Sequence, residues 1–312
     1  MTVITLARQV GSGGQSIANA LADRLGYRLY DRHALRLEAE RTGLSLPPAF
    51  EAFAREGRAS DDEALAPPQL YVSYSELEFG RDILGRRDDV SAVARPSFLD
   101  ALSAQRREIL LALQAVVYRQ AALDRVIFVG AGTQILLADI PGVLRAKIVA
   151  AEAVRTSRLS STYDLTPDDA LRAVRRADHE QRDYNKAIYG ADWDDPLLWD
   201  VVINTDHVTV ADASEWLAGL VGRSPFDGDL AGGISSTLRA AGEINHGLWS
   251  HIALRTATIF AVPAVGSIVL QGEATTQALR DEALQIAAAL APAVIMRDEI
   301  AVSGDDGYLG GW

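Results

Sequence analysis

The residues best suited to chemistry stand in one run near the start of the chain, Gly11-Ser12-Gly13-Gly14-Gln15-Ser16. An apolar stretch, Val3 to Leu6, precedes it, and an amphipathic stretch reaching Leu25 follows. Glycines let a backbone pass close to an anion, and a helix that begins just after them turns its first amides toward it. The run predicts a phosphate cradle, with Ser16 offering a hydroxyl to a Mg2+ carried by the phosphates. A full phosphate loop ends Gly-Lys-Ser/Thr. Here Gly14 stands at the lysine position, so the cradle is present without its mobile positive charge. A charged donor beside a transferring phosphoryl group is worth about three orders of magnitude in rate. An active site would need another cation, and Arg8, at the exit of the first strand, is the nearest.

Six arginines, Arg155, Arg158, Arg172, Arg175, Arg176 and Arg182, lie on two successive helical stretches. A guanidinium fork binds two phosphate oxygens at once, which suits it to phosphoryl transfer. The same residues also fit a solvated helix face paired with Asp168, Asp169 and Asp178. Asp31 closes a second short strand and precedes a helix, where it reads as an N-cap. The five histidines show no metal-ligand spacing, and Tyr71, Tyr74 and Phe79 form an aromatic patch suited either to base stacking or to packing.

The rest of the chain must position these groups. Its 312 residues are 48% hydrophobic, which predicts two domains or one domain with a large appendage. A net charge of −12 argues against nucleic acid and anionic membranes as partners. With no cysteine there are no disulfides or thiolate metal sites. No stretch reads as a signal peptide or a membrane span, and the expected location is the cytoplasm.

Periodicity predicts strands at Val3–Leu6, Gly26–Asp31, Asp124–Gly132, Val143–Ala150 and Trp199–Thr205. Helices are expected at Gln15–Leu25, Arg32–Arg41, Ser97–Gln120, Thr133–Leu137, 152–161, 167–189 and Val210–Leu220. The alternation implies an α/β fold, a mainly parallel sheet with helices on both faces. Residues 44–96 read as an irregular insert over the site. Arg223–Gly242, rich in Gly, Ser and Asp, reads as a linker, and 243–303 as a small α+β domain with a glycine-rich tail at 304–312.

Taken together, residues 1–222 resemble the cytidylate kinase-like family of P-loop kinases. The matching text is Ala7-Arg-Gln-Val-Gly-Ser-Gly-Gly14, Leu25-Gly-Tyr-Arg-Leu-Tyr-Asp-Arg32, Val129-Gly-Ala-Gly132, Arg155 and Arg158, Asp178 with Arg182 and Tyr184, Gly190-Ala-Asp-Trp193, and Asp200-Val-Val-Ile-Asn-Thr205. The resemblance implies transfer of phosphoryl groups from Mg-ATP to a nucleoside monophosphate, CMP or dCMP. By the same resemblance Gly11 to Ser16 hold ATP, and Asp31 lies near the acceptor phosphate and, with Ser16, the metal. Arg155, Arg158 and Arg182 become lid arginines. Relatives usually carry Gly-Arg-Gly or Gly-Arg-Asp where this chain has Gly130-Ala131-Gly132, so one acceptor donor is replaced by a methyl group. The 243–303 unit resembles a BON-type domain, implying a protein partner or self-association. The alternative is a catalytically degenerate nucleotide binder or scaffold acting through that unit.

Overall fold

The computed structural model describes residues 2–44, 98–223, 225–226 and 233–303. The expected insert, its aromatic patch and the tail lie outside the described residues.

Apolar side chains alternate between the two faces of the first strand, β1 (Val3–Arg8), and so fix the layers on either side. Four strands join it, all parallel: β2 (Arg28–Tyr30), β3 (Val126–Val129), β4 (Val143–Val149) and β5 (Val201–Asn204), in the order β2-β3-β1-β4-β5. Ile4 and Leu6 face the layer made by α1 (Gly14–Leu25) and α7 (Val210–Leu220), where they meet Ile17, Leu21, Ala213 and Leu217. Val3 and Phe128 face the opposite layer of α2 (Arg32–Arg41) and α3 (Phe98–Ala121), against Leu35, Leu113 and Val117. The expected doubly covered parallel sheet is the observed one, and its loops converge at the carboxyl ends of the strands.

The strand expected from Asp124 begins at Val126 because Asp124 and Arg125 take left-handed φ angles of 61° and 53°. Beyond β3 the short α4 (Thr133–Leu136) follows Gly132. After β4 come α5 (Glu152–Tyr163) and α6 (Pro167–Tyr184). Thr166 caps α6, accepting a hydrogen bond from Asp169 N, and Pro167 occupies the first turn. The helix expected to reach residue 189 widens after Tyr184 into a π-helical turn, Asn185–Tyr189. There Asn185 Nδ2 donates to Gln181 O at 2.7 Å, one of the side-chain intrusions that loosen an α-helical ladder.

The stretch read as a linker needs correction. A helix, α8 (Ile234–Ser250), begins within it, after Gly233 with φ 106°. Ile234, Thr237, Leu238 and Ala241 recur at helical spacing and all are buried. Small polar neighbours masked that period in the composition. α8 packs along α3, and its apolar side chains enter the same core cluster as Val116 and Phe128. The chain continues into β6 (Thr258–Ala264), antiparallel to β7 (Ser267–Ala274), then α9 (Gln277–Leu290) and β8 (Ile295–Val302), parallel to β7. A separate small three-stranded sheet therefore exists, but it shares its apolar core with the α3 face of the main sheet.

Candidate nucleotide site

The glycine run forms the turn between β1 and α1. Gln9 N donates to Ile148 O at 3.0 Å and continues the ladder with β4; Ser12 N then donates to Gln9 O at 3.1 Å and closes the turn. Gly11 and Gly13 both have φ 77°, a region open to glycine and costly for other residues. A Cβ on Gly11 would lie 2.6 Å from Leu159 Cδ1 and 2.9 Å from Arg155 O, so α5 can approach only a bare backbone there. The first bond across the start of α1 runs from Ile17 N to Gly13 O, which leaves the preceding amides of that turn as donors the helix does not use.

Three consecutive carbonyls of the turn are held from behind. Arg155 Nη1 donates to Val10 O at 3.4 Å, Arg158 Nη1 to Gly11 O at 3.4 Å, and Thr205 Oγ1 to Ser12 O at 2.7 Å. In a trans peptide the next N–H points opposite to each carbonyl, so the amides of Gly11 and Gly13 face away from these anchors, while that of Ser12 is spent on Gln9 O within the turn. Arg158 also binds Thr205, through Nη1 to Oγ1 at 2.9 Å and Nη2 to the carbonyl at 2.7 Å. The end of β5 and the helix α5 thus set the loop as a unit. Ser12 is fully buried, and its Oγ has no hydrogen-bond partner among the described residues.

This arrangement redistributes the expected roles. Arg155 is buried, its Nε donates to Ala150 O at 3.0 Å, and its fork is closed on Asp178. Arg155 and Arg158 therefore sit behind the loop as anchors rather than above it. Arg182 is half exposed and donates from Nε to Asp194 Oδ2 at 2.8 Å. Arg172 pairs with Asp169, and Arg175 with Glu152 at 2.9 Å, on the solvated face. Arg8 is partly exposed and lies between Gly14 and Gly130.

Asp31 caps α2, accepting a hydrogen bond from Ala34 N at 2.7 Å through Oδ1. It stands at the carboxyl end of β2, next to the turn that ends β3. Ser16 is exposed, whereas the residue before it, Gln15, is buried and donates from Nε2 to Asn19 Oδ1 at 3.2 Å. The described residues include no cluster of three or more His, Cys, Asp or Glu able to hold a metal ion.

At the turn after β3, Ala131 is buried with φ 58°, and its carbonyl accepts a hydrogen bond from Tyr189 OH at 2.6 Å. The hydroxyl end of the Tyr189 ring lies against Gly132, in the space a Cβ would need. The rings of Tyr184 and Tyr189 meet at an interplanar angle of 84°, and the Arg32 guanidinium lies over Tyr184, 4.9 Å from its ring centre. Sequence reasoning missed this aromatic pair as a group; the π-helical turn that brings Tyr189 to Gly132 had no signal in the period.

It also missed Lys147. The signal was a lysine inside an apolar strand. Its Nζ donates to Trp193 O at 2.9 Å and to Asp194 Oδ1 at 3.3 Å, and lies 4.7 and 5.3 Å from the ring centres of Trp193 and Trp199. Burial lowers its pKa despite the nearby Asp194 carboxylate. Asp194 is held below the usual carboxylate range, first by its hydrogen bond from Arg182 and also by the charge of Lys147. The helix α6 and the strand β4 are thus joined through one carboxylate.

The model of the cytidylate kinase-like family matches residues 3–207. This chain belongs to that family. Membership of a kinase-like family implies ATP, usually with Mg2+. Among solved structures, the chain is similar to an uncharacterized protein from Eubacterium ventriosum at 18% identity, over 70% of this chain and 97% of that one, with a TM-score of 0.44. It is also similar to shikimate kinase from Acinetobacter baumannii in complex with shikimate, at 14% identity over 71% and 93% with a TM-score of 0.32, and to TT1252 from Thermus thermophilus, at 17% over 71% and 96% with a TM-score of 0.34. Likenesses this remote say nothing of substrate. No curated protein matches the chain. No helix among the described residues is long and apolar enough to cross a membrane.

Proposed function

We propose that this protein transfers the γ-phosphoryl group of ATP to a small phosphorylated acceptor, with a nucleoside monophosphate such as CMP or dCMP as the first candidate. The observation that supports this most is the set of anchors on Val10, Gly11 and Ser12, which turns the amides of Gly11 and Gly13 outward, beside the unused first amides of α1, as an anion seat. In this reading Gly11, Ser12, Gly13, Gly14, Gln15 and Ser16 hold the donor phosphates. Arg155 and Arg158 keep the loop in place, and Arg8 and Arg182 supply charge. Asp31 orients the acceptor and, with Ser16, faces the Mg2+ that would neutralise charge on the phosphates. Catalysis is then positioning and electrostatics. Purified protein incubated with Mg-ATP and a panel of monophosphates should form ADP with at least one of them. No ADP above background with any acceptor would end the proposal.

A second reading, a nucleotide sensor or scaffold in the cytoplasm, has its own support. Gly14 offers no ammonium, Tyr189 covers the turn after β3, and Arg182 is paired with Asp194. Calorimetry with ATP, ADP and CMP separates the cases: binding without turnover means sensing, and no binding means scaffolding. The BON-like reading of 243–303 belongs here too. Val265, Leu290 and Ile295 are exposed on that unit, which favours a protein partner or self-association, and sedimentation at rising concentration tests the latter.

A further inference from the structure

Arg8 ends β1, and its side chain runs along the seam between α1 and the end of β3. A Cβ built on Gly14 would collide with Arg8 Cβ, and would stand 3.1 Å from Arg8 Cγ and 3.3 Å from Ile148 Cβ. The Cβ of Arg8 is fixed by the backbone and cannot swing aside. Side chains at positions 8 and 14 therefore exclude one another. At its far end, Arg8 Nη1 lies 3.3 Å from where a Cβ on Gly130 would stand. β1 and β3 are paired neighbours, so the guanidinium lies between the donor loop and the adjacent strand end. Open α/β sheets bring their ligands together at such crevices.

We infer that Arg8 bridges the donor and acceptor phosphates during transfer, and that its seat is the reason this loop carries glycine where a lysine would stand. The inference rests on the phosphoryl-transfer reading above. An oxygen of the acceptor phosphate forms a bond to Pγ as the bond from Pγ to the leaving ADP oxygen breaks. No proton passes through Arg8; its fork spans one oxygen on each side and offsets the repulsion between two anions. A lysine on the helix would reach the donor alone. The strand-borne arginine serves both partners, so the acceptor it selects is itself an anion.

The test uses the full chain with Arg8→Met, Arg8→Lys, Gly14→Lys, Arg8→Gly and the double variant R8G/G14K. Calorimetry compares ATP with a bisubstrate analogue that joins adenosine and cytidine through a polyphosphate chain. Arg8→Met should weaken ATP by roughly threefold or less and the bisubstrate by more than about tenfold, and should lower transfer by about a thousandfold. Arg8→Lys should fall between. Gly14→Lys should lower the thermal midpoint, whereas R8G/G14K should restore it and transfer at least about tenfold faster than Arg8→Gly. Equal losses for ATP and bisubstrate in Arg8→Met would overturn the bridge. Wild-type stability in Gly14→Lys would overturn the exclusion. A wild-type chain that binds the bisubstrate yet transfers nothing would remove the catalytic reading while the bridge stands on its binding ratio. A chain that binds neither compound would remove both.

Discussion

Arg155 meets Asp178 through two parallel hydrogen bonds, Nη1 to Oδ1 at 2.9 Å and Nη2 to Oδ2 at 2.7 Å. The pair ties α5 to α6, and the same guanidinium holds the carbonyls of Ala150 and Val10. One residue thus links α5 and α6 to the back of the glycine loop. The arginine side chain is 4% exposed and the aspartate 16%. At that burial the partner of a deleted charge is left with its desolvation uncompensated.

Asp178→Ala should therefore cost about 3 kcal/mol of folding stability, the low end of the range for breaking a buried pair. Replacing both residues, Arg155→Met with Asp178→Leu, should cost less than Asp178→Ala alone, because no unpaired charge remains. Urea unfolding of Asp178→Ala, Arg155→Met and the double variant measures this. Equal or additive losses would mean that the pair contributes as two independent side chains.

A second carboxylate gives a pH signature. Asp194 is held below its usual 3.8 by Arg182 and Lys147. A carboxylate with a depressed native pKa contributes stability that is present above 3.8 and lost as pH falls through the native value. Lys147 has the opposite arrangement. Burial lowers it from 10.5, so the native state releases its proton first, and stability rises as pH climbs from the native value toward 10.5. Asp194→Asn should flatten the acid limb of a plot of unfolding midpoint against pH. Lys147→Met should flatten the alkaline limb and weaken the acid limb only in part, because Arg182, the larger cause of the Asp194 shift, remains. Half of the Asp194 side chain is exposed, so solvent screening keeps the acid effect modest. An acid limb unchanged in Asp194→Asn would count against the pairing.

What the sequence made legible follows from where each signal resides. The parallel sheet and its layers could be read because strand alternation and helical period are local. Val3–Arg8 and Val210–Leu220 announce their buried faces within a few residues. The glycine turn was legible for the same reason. The side-chain partners across the loop were not. Arg155 and Arg158 are spaced as lid arginines would be, and nothing local says that their forks close on Asp178, Thr205 and the carbonyls of Val10 and Gly11. Those contacts span up to 147 residues. Residues 234–242 read as a linker for a different reason: small polar residues dilute the apolar period of α8.

The turn after β3 offers a steric test. Gly132 has φ 68°, and the Tyr189 ring fills the space of its missing Cβ. Gly132→Ala meets both obstacles, a left-handed backbone and an aromatic wall, and should cost more than about 2 kcal/mol. Adding Tyr189→Ala should recover the steric part and leave the backbone part of about 1 kcal/mol, together with the lost bond to Ala131 O. Thermal unfolding of the two single variants and the double variant isolates the coupling. A double variant whose loss equals the sum of the singles would show that the ring does not press on Gly132.

The last prediction concerns how firmly the C-terminal unit is joined to the main sheet. Gly242 of α8 faces α3, where a Cβ would stand 2.7 Å from Arg119 Cγ and 2.9 Å from Ala115 O. The second of these is backbone and cannot yield. On the same helix, the fully buried Asn245 donates from Nδ2 to Ala261 O at 2.9 Å and accepts from Ala261 N at 2.7 Å. One face of α8 is thus set against α3 and another against β6. Gly242→Ala should separate α8 from α3 at a cost of about 2 kcal/mol. Asn245→Ala should cost a similar amount by orphaning both backbone groups of Ala261. Because the apolar cluster is continuous across α8, each change should lower the unfolding midpoint reported by hydrogen exchange in β3 and in β7 together. Exchange that rises in β7 while β3 keeps its protection would show two cores that unfold independently, and α8 would then be a contact rather than a shared element.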